Sequence, residues 1–545
     1  MNPTRDVYPG EPDTTPLPRV EHPRRGVSDP AQHRHTAHLT GSYAGRMTRI
    51  ALAVGLVLTL LAAAGCGVRD TRPESTYAEF EQQAAALAGV RSVTATAAST
   101  YMIDLDPQAG EADLAQTADD LFFLVNDHRY PTGAPEATVE SGVFSGEIGV
   151  VRQGAPPGVP QPGPLGLAHL PFLHALPDVE AGTLSERGAS VQLTEHTDMR
   201  TWATDAAASP RELRLSARRP MTADELRLLP ADDRTAAGST EYTASPDPNP
   251  AADPNAPAPE PAPEQPVVSL VLDLSRPDLP ADLTRLHETA DAASALLIEA
   301  DLSSTLPEPD AALAVPADAD IPAAYAAFAA EYGQDQLDDV RVRSAEGLSV
   351  TGGGGNIDAH FAARDLLAEA GAAVTSMDLR RGALTAEVPD GTTLRALAAA
   401  TGGPAWPLPS DTRISVRNTA HPDDSPYFDA DEWPSHADLL AALWENGFDA
   451  IRMSGGTQRS DFDLRIQPSD TQDLTSPDSR AALIDVLRTT GWGGKAQISL
   501  STGGHLVFWS TEDGPAEDAY MSLHGADRKP SGWAADFLAE WDASA

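Results

Sequence analysis

Ala437-Asp-Leu-Leu-Ala-Ala-Leu-Trp-Glu-Asn-Gly447 sets Leu440 and Trp444 at helical spacing and stops on a glycine. Glycine is the residue that most readily takes the left-handed backbone found just past a helix end. Two strand-like runs follow, 448–454 and 461–466. The pattern recurs on both sides. Phe361-Ala-Ala-Arg-Asp-Leu-Leu-Ala-Glu-Ala-Gly371 precedes strands at Ala373–Leu379 and Ala383–Val388. Ala481-Ala-Leu-Ile-Asp-Val-Leu-Arg-Thr-Thr-Gly491 precedes strands at 495–500 and 504–510. Turns such as Arg380-Arg-Gly382 and Ser501-Thr-Gly-Gly504 join each strand pair as a hairpin. The C-terminal half therefore reads as a repeated helix–hairpin (αββ) unit.

Such a unit cannot cover both faces of its sheet alone. Two side by side give an antiparallel sheet with helices on one face, a two-layer α+β module resembling the ferredoxin-like plait. A doubly wound parallel sheet would need a helix between every pair of successive strands. Upstream, helices are expected at Tyr77–Ala88, Leu114–Asn126, His169–Leu176 and Ala281–Ala293. Strands are expected near Ser92–Thr96, Thr138–Val151, Ala189–Leu193, Val267–Leu274 and Leu296–Leu302. Two low-complexity stretches punctuate the chain: the Pro/Gly connector 154–166, and 244–266, with proline at nearly every second or third position. Proline removes backbone donors and favours extended polyproline, so 244–266 reads as a spacer or an inter-strand loop. Several α+β modules follow, 75–153, 167–305 with the Pro-rich insertion, 320–415 and 428–545, with boundaries near 155, 310 and 425. Deleting 244–266 should shift the melting temperature by no more than a few degrees, because it can bury almost no apolar area.

The one cysteine closes the run Met47-Thr-Arg-Ile-Ala-Leu-Ala-Val-Gly-Leu-Val-Leu-Thr-Leu-Leu-Ala-Ala-Ala-Gly65-Cys66. Arg46 and Arg49 precede an uncharged stretch from Ile50 to Gly65. It is short for a membrane span, which needs roughly 20 apolar residues. The layout resembles a bacterial lipoprotein signal, with alanine at Ala63 where that family prefers leucine. The resemblance implies removal of 47–65, lipidation of Cys66, a short tether at 66–74 and display on the outer face of the cytoplasmic membrane. Residues 1–46 are rich in Pro, Arg and His and lack hydrophobic period, as disordered segments do. They are either an extension ahead of the signal or lie upstream of a start at Met47, the favoured reading. His33, His35 and His38 fall in this tail and read as solvated residues.

Charge narrows the partners. Seven of the 38 basic and five of the 80 acidic residues precede Cys66, leaving 31 against 75 beyond it. Lysine occurs only at 495 and 529. An alanine- and arginine-rich chain of this kind resembles the products of high-GC genomes such as those of actinobacteria. The acidity disfavours nucleic acid, whose phosphates need a basic surface. It leaves the membrane, through the N-terminal lipid, and a protein or cell-wall glycan as expected partners.

No chemistry declares itself. A Gly-x-x-x-x-Gly-Lys loop, Ser-x-x-Lys, Gly-x-Ser-x-Gly and His-Glu-x-x-His are all absent; His287-Glu288 is followed by Thr-Ala-Asp. The lone thiol excludes internal disulfides. No catalytic residue, cofactor or metal is expected. The expected role is non-catalytic binding or scaffolding, with a transporter's solute-binding component or a carboxylate-dependent glycan hydrolase as alternatives. Three features remain as candidates. Gly352-Gly353-Gly354-Gly355, ahead of a helix at 357–370, could cradle an anion on backbone amides, or simply turn the chain. Asp423, Asp424, Asp429 and Asp431 form an acidic loop able to offer oxygen ligands to a cation, or simply a solvated linker. Six of the eight tryptophans lie in the last 113 residues. Trp444 and Trp509 read as core; Trp406 and Trp433 are expected to be exposed and available to sugars.

Overall fold

The computed structural model describes Arg72–Ala545, apart from 153–158, 232, 235–264, 305–308, 354, 421–423, 425, 449, 458–459, 468–471, 503 and 524–525. The stretch 47–65 read as a signal, Cys66, Gly354, Asp423 and nearly all of the Pro-rich stretch lie outside the described residues.

Among these residues the order helix–strand–strand occurs ten times in succession. The first unit is α1 (Tyr77–Ala85), β1 (Val90–Ala97) and β2 (Thr100–Leu105). The second is α2 (Glu111–Asn126), β3 (Glu136–Ser141) and β4 (Phe144–Glu147). Next come α3 (Leu170–Ala175), β5 (Val179–Leu184) and β6 (Gly188–Leu193), then α4 (Met199–Ala207), β7 (Arg214–Pro220) and β8 (Val267–Asp273), with the one-turn helix α5 (Ala223–Leu226) inside that hairpin's loop. The chain continues through α6 (Leu279–Ala292), β9 (Leu296–Leu302), β10 (Asp310–Val315), α7 (Ile321–Tyr332), β11 (Val340–Ser344) and β12 (Ser349–Thr351). The C-terminal units are α8 (Ile357–Glu369), β13 (Ala373–Asp378), β14 (Ala383–Val388); α9 (Gly391–Thr401), β15 (Arg413–Asn418), β16 (Tyr427–Asp429); α10 (Trp433–Glu445), β17 (Ile451–Thr457), β18 (Ser460–Ile466); and α11 (Pro477–Thr490), β19 (Ala496–Ser501), β20 (His505–Ser510). Strands β21 (Glu517–Leu523) and β22 (Ala526–Arg528) and helix α12 (Trp533–Ala543) end the chain.

The glycines that close α8, α10 and α11 have φ of 89° at Gly371, 77° at Gly447 and 73° at Gly491. A side chain there would be strained, so glycine sets where each helix stops. Ser, Thr, Asp or Asn side chains start others: Thr76 and Glu79 form a capping box on α1, and Asn356 Oδ1 accepts the Ala359 amide of α8.

The class is α+β, built on a large mixed sheet. The two strands of a unit pair antiparallel, and the second pairs parallel with the first strand of the next unit. This alternation runs from β1 to β20 in sequence order. The expected antiparallel plait is therefore replaced by a ladder in which a helix carries the chain between neighbouring parallel strands. The ladder passes 155, 310 and 425 without a break: β4 pairs with β5, β9 with β10, and β15 with β16. The separate modules expected from sequence thus share one sheet, and Arg72–Ala545 forms one compact unit. The Pro-rich stretch belongs to the loop of the β7–β8 hairpin, whose seven residue pairs run from Arg214↔Asp273 to Pro220↔Val267.

One face of the sheet is buried. Met453, Leu464, Ile498 and Phe508 lie in register across four strands and are each at most 1% exposed. The helices cover this face and touch their neighbours: a Cβ on Gly391 of α9 would sit 2.7 Å from Ala441 of α10. Each hairpin reverses strand direction while the helices keep to one side. Successive crossovers must therefore alternate in hand, and half take the rare left-handed form. The opposite face carries the alternate, mostly polar residues along much of the ladder, but Ala312, Ala314, Ser499, Val507 and Trp509 on that side are buried, and Asp233 of the β7–β8 loop reaches Arg343 of β11 at 3.4 Å.

His436 of α10 stacks against both Phe428 and Phe462, with centroids 4.3 and 4.8 Å away. Burial holds its pKa down at about 4. The unfolded chain takes up this proton near pH 6.5 and the folded chain only near 4. Stability is therefore full above pH 6.5 and falls as pH drops towards 4, by up to about 3 kcal/mol. His436→Phe should flatten that part of a plot of urea midpoint against pH. A slope unchanged by the substitution would show that His436 is protonated inside the core. His169, His174, His287 and His505 are also depressed by burial, so some slope should persist.

Candidate functional site

The glycine turn leads from β12 into α8, and its backbone explains the glycines. Gly352 has φ of 87°, and a Cβ on Gly355 would lie 2.4 Å from the Leu379 carbonyl. Beside it is a cavity of about 510 Å³ lined by Gly355, Asn356, His360, Arg380, Arg381 and Asp411, among others. His360 is 4% exposed. Its Nδ1 donates to the Asn356 carbonyl at 2.8 Å, and its buried Nε2 meets no partner among the described residues. The arginines are already engaged, Arg380 with Asp338 at 3.2 Å and Arg381 with Asp378 at 3.7 Å. Asp411 adds a further negative charge, so the cavity is electrically mixed.

The acidic loop has a structural member. Asp424 is 1% exposed and accepts the Trp444 indole N–H at 2.7 Å and the Ile451 amide at 2.6 Å. It ties α10 to the start of β17. Asp429 ends β16 and Asp431 is exposed. Among the described residues no group of three His, Cys, Asp or Glu side chains is placed to hold a metal ion.

Trp444 and Trp509 are buried. Trp433, expected at the surface, is fully buried against Phe428, with its N–H donating to the Ile414 carbonyl at 3.2 Å. Its flanking residues Glu432 and Pro434 belong to the start of α10, which turns the indole inward. Trp406 is half-buried. Asp310 is the one carboxyl among the described residues whose pKa is pushed up, through burial and then the charge of Asp339.

A feature the sequence does not display lies on the uncovered sheet face. Arg413 and Arg417 project from β15, Arg452 from β17 and Arg465 from β18, all exposed. Arg452 and Arg465 are directly opposed in the antiparallel register. No described carboxylate comes within ion-pair distance of any of the four; Arg413 lies over the Tyr427 ring, 5.2 Å from its centroid. The register nonetheless sets Asp429 opposite Arg413, Glu387 beside Arg417 and Asp463 one level from the Arg452–Arg465 pair, so the patch is electrically mixed. Elsewhere on this face Arg214 meets Asp301 at 3.2 Å and Arg341 meets Glu299 at 3.5 Å. Like charges set directly opposite destabilise a sheet. A shallow cavity of about 290 Å³ lies at the pair, lined by Tyr427, Arg452, Ser454, Asp463, Arg465, Gln497 and Ser499 and by two core residues. His505 nearby is held below its usual pKa by burial and then by the Arg465 charge. No family model, curated protein or solved structure matches the chain.

Proposed function

We propose that the protein is a lipid-anchored, extracytoplasmic binding or scaffold protein, held at the outer face of the membrane through Cys66 and working through its uncovered sheet face. The observation that carries this reading is the one-sided ladder. A long sheet with helices on one side offers a flat, polar, hydrogen-bonded platform on the other, suited to a large partner rather than an enclosed small molecule. No described helix is long and apolar enough to cross a membrane, and the run before Cys66 lies outside the described residues; in this reading the attachment is the lipid on Cys66. A diacylglycerol with a further acyl chain, at about 0.8 kcal/mol per buried CH₂, is a sufficient anchor.

Cys66→Ala should shift the protein from the membrane fraction to the soluble fraction, or leave an unprocessed precursor. A processed form still on the membrane would place the anchor elsewhere. Photo-cross-linkers at Ser216 and Ser415 on the open face should capture a partner in cells, while those at the exposed Glu81 and Asp365 of the helical layer should not. Capture from the helical layer alone would overturn the assignment of the working face.

A further inference from the structure

We infer that Phe123, Val150 and Val159 form a membrane-contact corner that rests on the bilayer surface once a lipid on Cys66 is inserted. The inference rests on Cys66 being the anchor and names the part of the folded protein that then meets the lipid. Six large apolar side chains stand exposed among the described residues: Met102, Phe123, Val143, Val150, Val159 and Tyr427. Apolar residues scattered singly over a surface are ordinary, but half of these six gather at one place. Phe123, the most exposed at 53%, lies in the last turn of α2 beside Phe122. Asn126 ends that helix and holds the chain on both sides of Val150. Its side-chain amide donates to the Gly149 carbonyl at 3.0 Å, and its Oδ1 accepts the Val151 amide at 2.7 Å. Residues 159–162 return against this segment: Gln161 accepts the Arg152 amide at 3.1 Å, and a Cβ on Gly149 would collide with Pro162.

The chain enters the fold at this same corner. Arg72 donates to the Asn126 carbonyl at 2.9 Å, the Arg129 amide donates to the Pro73 carbonyl at 2.9 Å, and the Ser75 amide donates to the Arg129 carbonyl at 3.0 Å. Arg72 is six residues beyond Cys66, a reach of at most about 21 Å for a fully extended chain. A lipid on Cys66 therefore keeps the corner close to the bilayer, and a protein partner would have to compete with the membrane for it. The charged residues adjoining these segments balance, Arg72, Arg129 and Arg152 against Glu74, Asp127 and Glu147. On a chain of net charge −42 such a corner approaches lipid without strong repulsion, through apolar contact rather than headgroup charge. It belongs to the helical layer, which leaves the open sheet face free for a partner.

The lipidated protein in phosphatidylcholine vesicles tests the inference. Lipidation occupies Cys66, so Phe123→Cys, Val150→Cys and Val159→Cys each supply one free thiol for an environment-sensitive dye. Nitroxide-bearing lipids should quench dye at these three positions by about half or more, and dye at Ser415→Cys or Asp365→Cys by less than about a tenth. Phe123→Asp should cut the quenching at Val150→Cys about twofold or more, and raising salt from about 0.1 to about 0.5 M should leave it unchanged. Equal quenching at all five positions, or quenching confined to Ser415→Cys, would overturn the corner. So would quenching that needs anionic lipid, or dye shielded from water at 123 and 150 without quenching, the mark of protein covering the patch. Vesicle flotation separates the two levels of the reading. Protein that fails to float overturns the anchor and the corner with it, whereas protein that floats with unquenched dye overturns the corner alone.

Discussion

Trp541→Ala should destabilise the folded protein by about 3–5 kcal/mol, the range of a large aromatic truncation in a core. Trp541 is a fully buried residue of α12, at the C-terminal end of the ladder. It stacks on Trp492 with centroids 6.2 Å apart, meets Phe508 edge-on at 5.4 Å and Phe537 at 6.1 Å, and carries the Arg488 guanidinium 3.8 Å above its ring. Its N–H donates to Ser510 Oγ at 3.3 Å. The indole lies against Phe508 of β20 and so covers the apolar face at this end of the described ladder. The Arg480–Glu540 pair, at 2.7 Å with Arg480 4% exposed, fastens the same helix. Urea denaturation should show the loss, and limited proteolysis should cut first near 530. A loss below 1 kcal/mol would mean that α12 is not what seals this end.

Leu483→Ala should cost about 2–5 kcal/mol. Leu483 is fully buried on α11, on the same face as Val486 and Leu487, and α11 packs beside α10 over β18–β20. The cavity would open inside the ladder, where neighbouring helices hold the walls apart and limit collapse. Charge reversal at Glu445 should cost far less, because its pair with Arg395, at 2.8 Å, is half in water. Equal losses at the two positions would show that α10 and α11 are oriented otherwise. Both substitutions are read from the same urea titration.

Helix–hairpin units were legible wherever the helix ended in glycine and the strands were short and clean, as at 361–388 and 437–466. They were less legible upstream. There α3 has six residues behind a Pro/Gly connector, and the β7–β8 hairpin is separated by 46 residues, 221–266. Whether neighbouring units join parallel or antiparallel cannot be read from period-two alternation, which is the same in both. Trp433 and Asp424 were misread because the loop around them is rich in acids and prolines, while Trp433 turns in against Phe428 and Ile414 and Asp424 bridges Trp444 and Ile451. The arginine row was invisible for another reason. Arg417, Arg452 and Arg465 lie on strands of three different pairing partners, and only the register puts them side by side.

The strict order of the ladder also bears on how the chain acquires its structure. Each strand through β20 pairs only with its immediate predecessor and successor, so apart from the β7–β8 hairpin, with its 46-residue loop 221–266, β pairing joins parts of the chain close in sequence. Sheets of many strands ordinarily fold slowly because their pairings close long loops; here contact order stays low however many units are added. A chain threaded out of a membrane N-terminus first could lay down β1 and β2, then add each unit to the waiting edge as it emerges. The edge of β20 would stay exposed until β21 and β22 pair onto it. Loss of the C-terminal residues would then leave an open, adhesive strand edge rather than a smaller soluble protein.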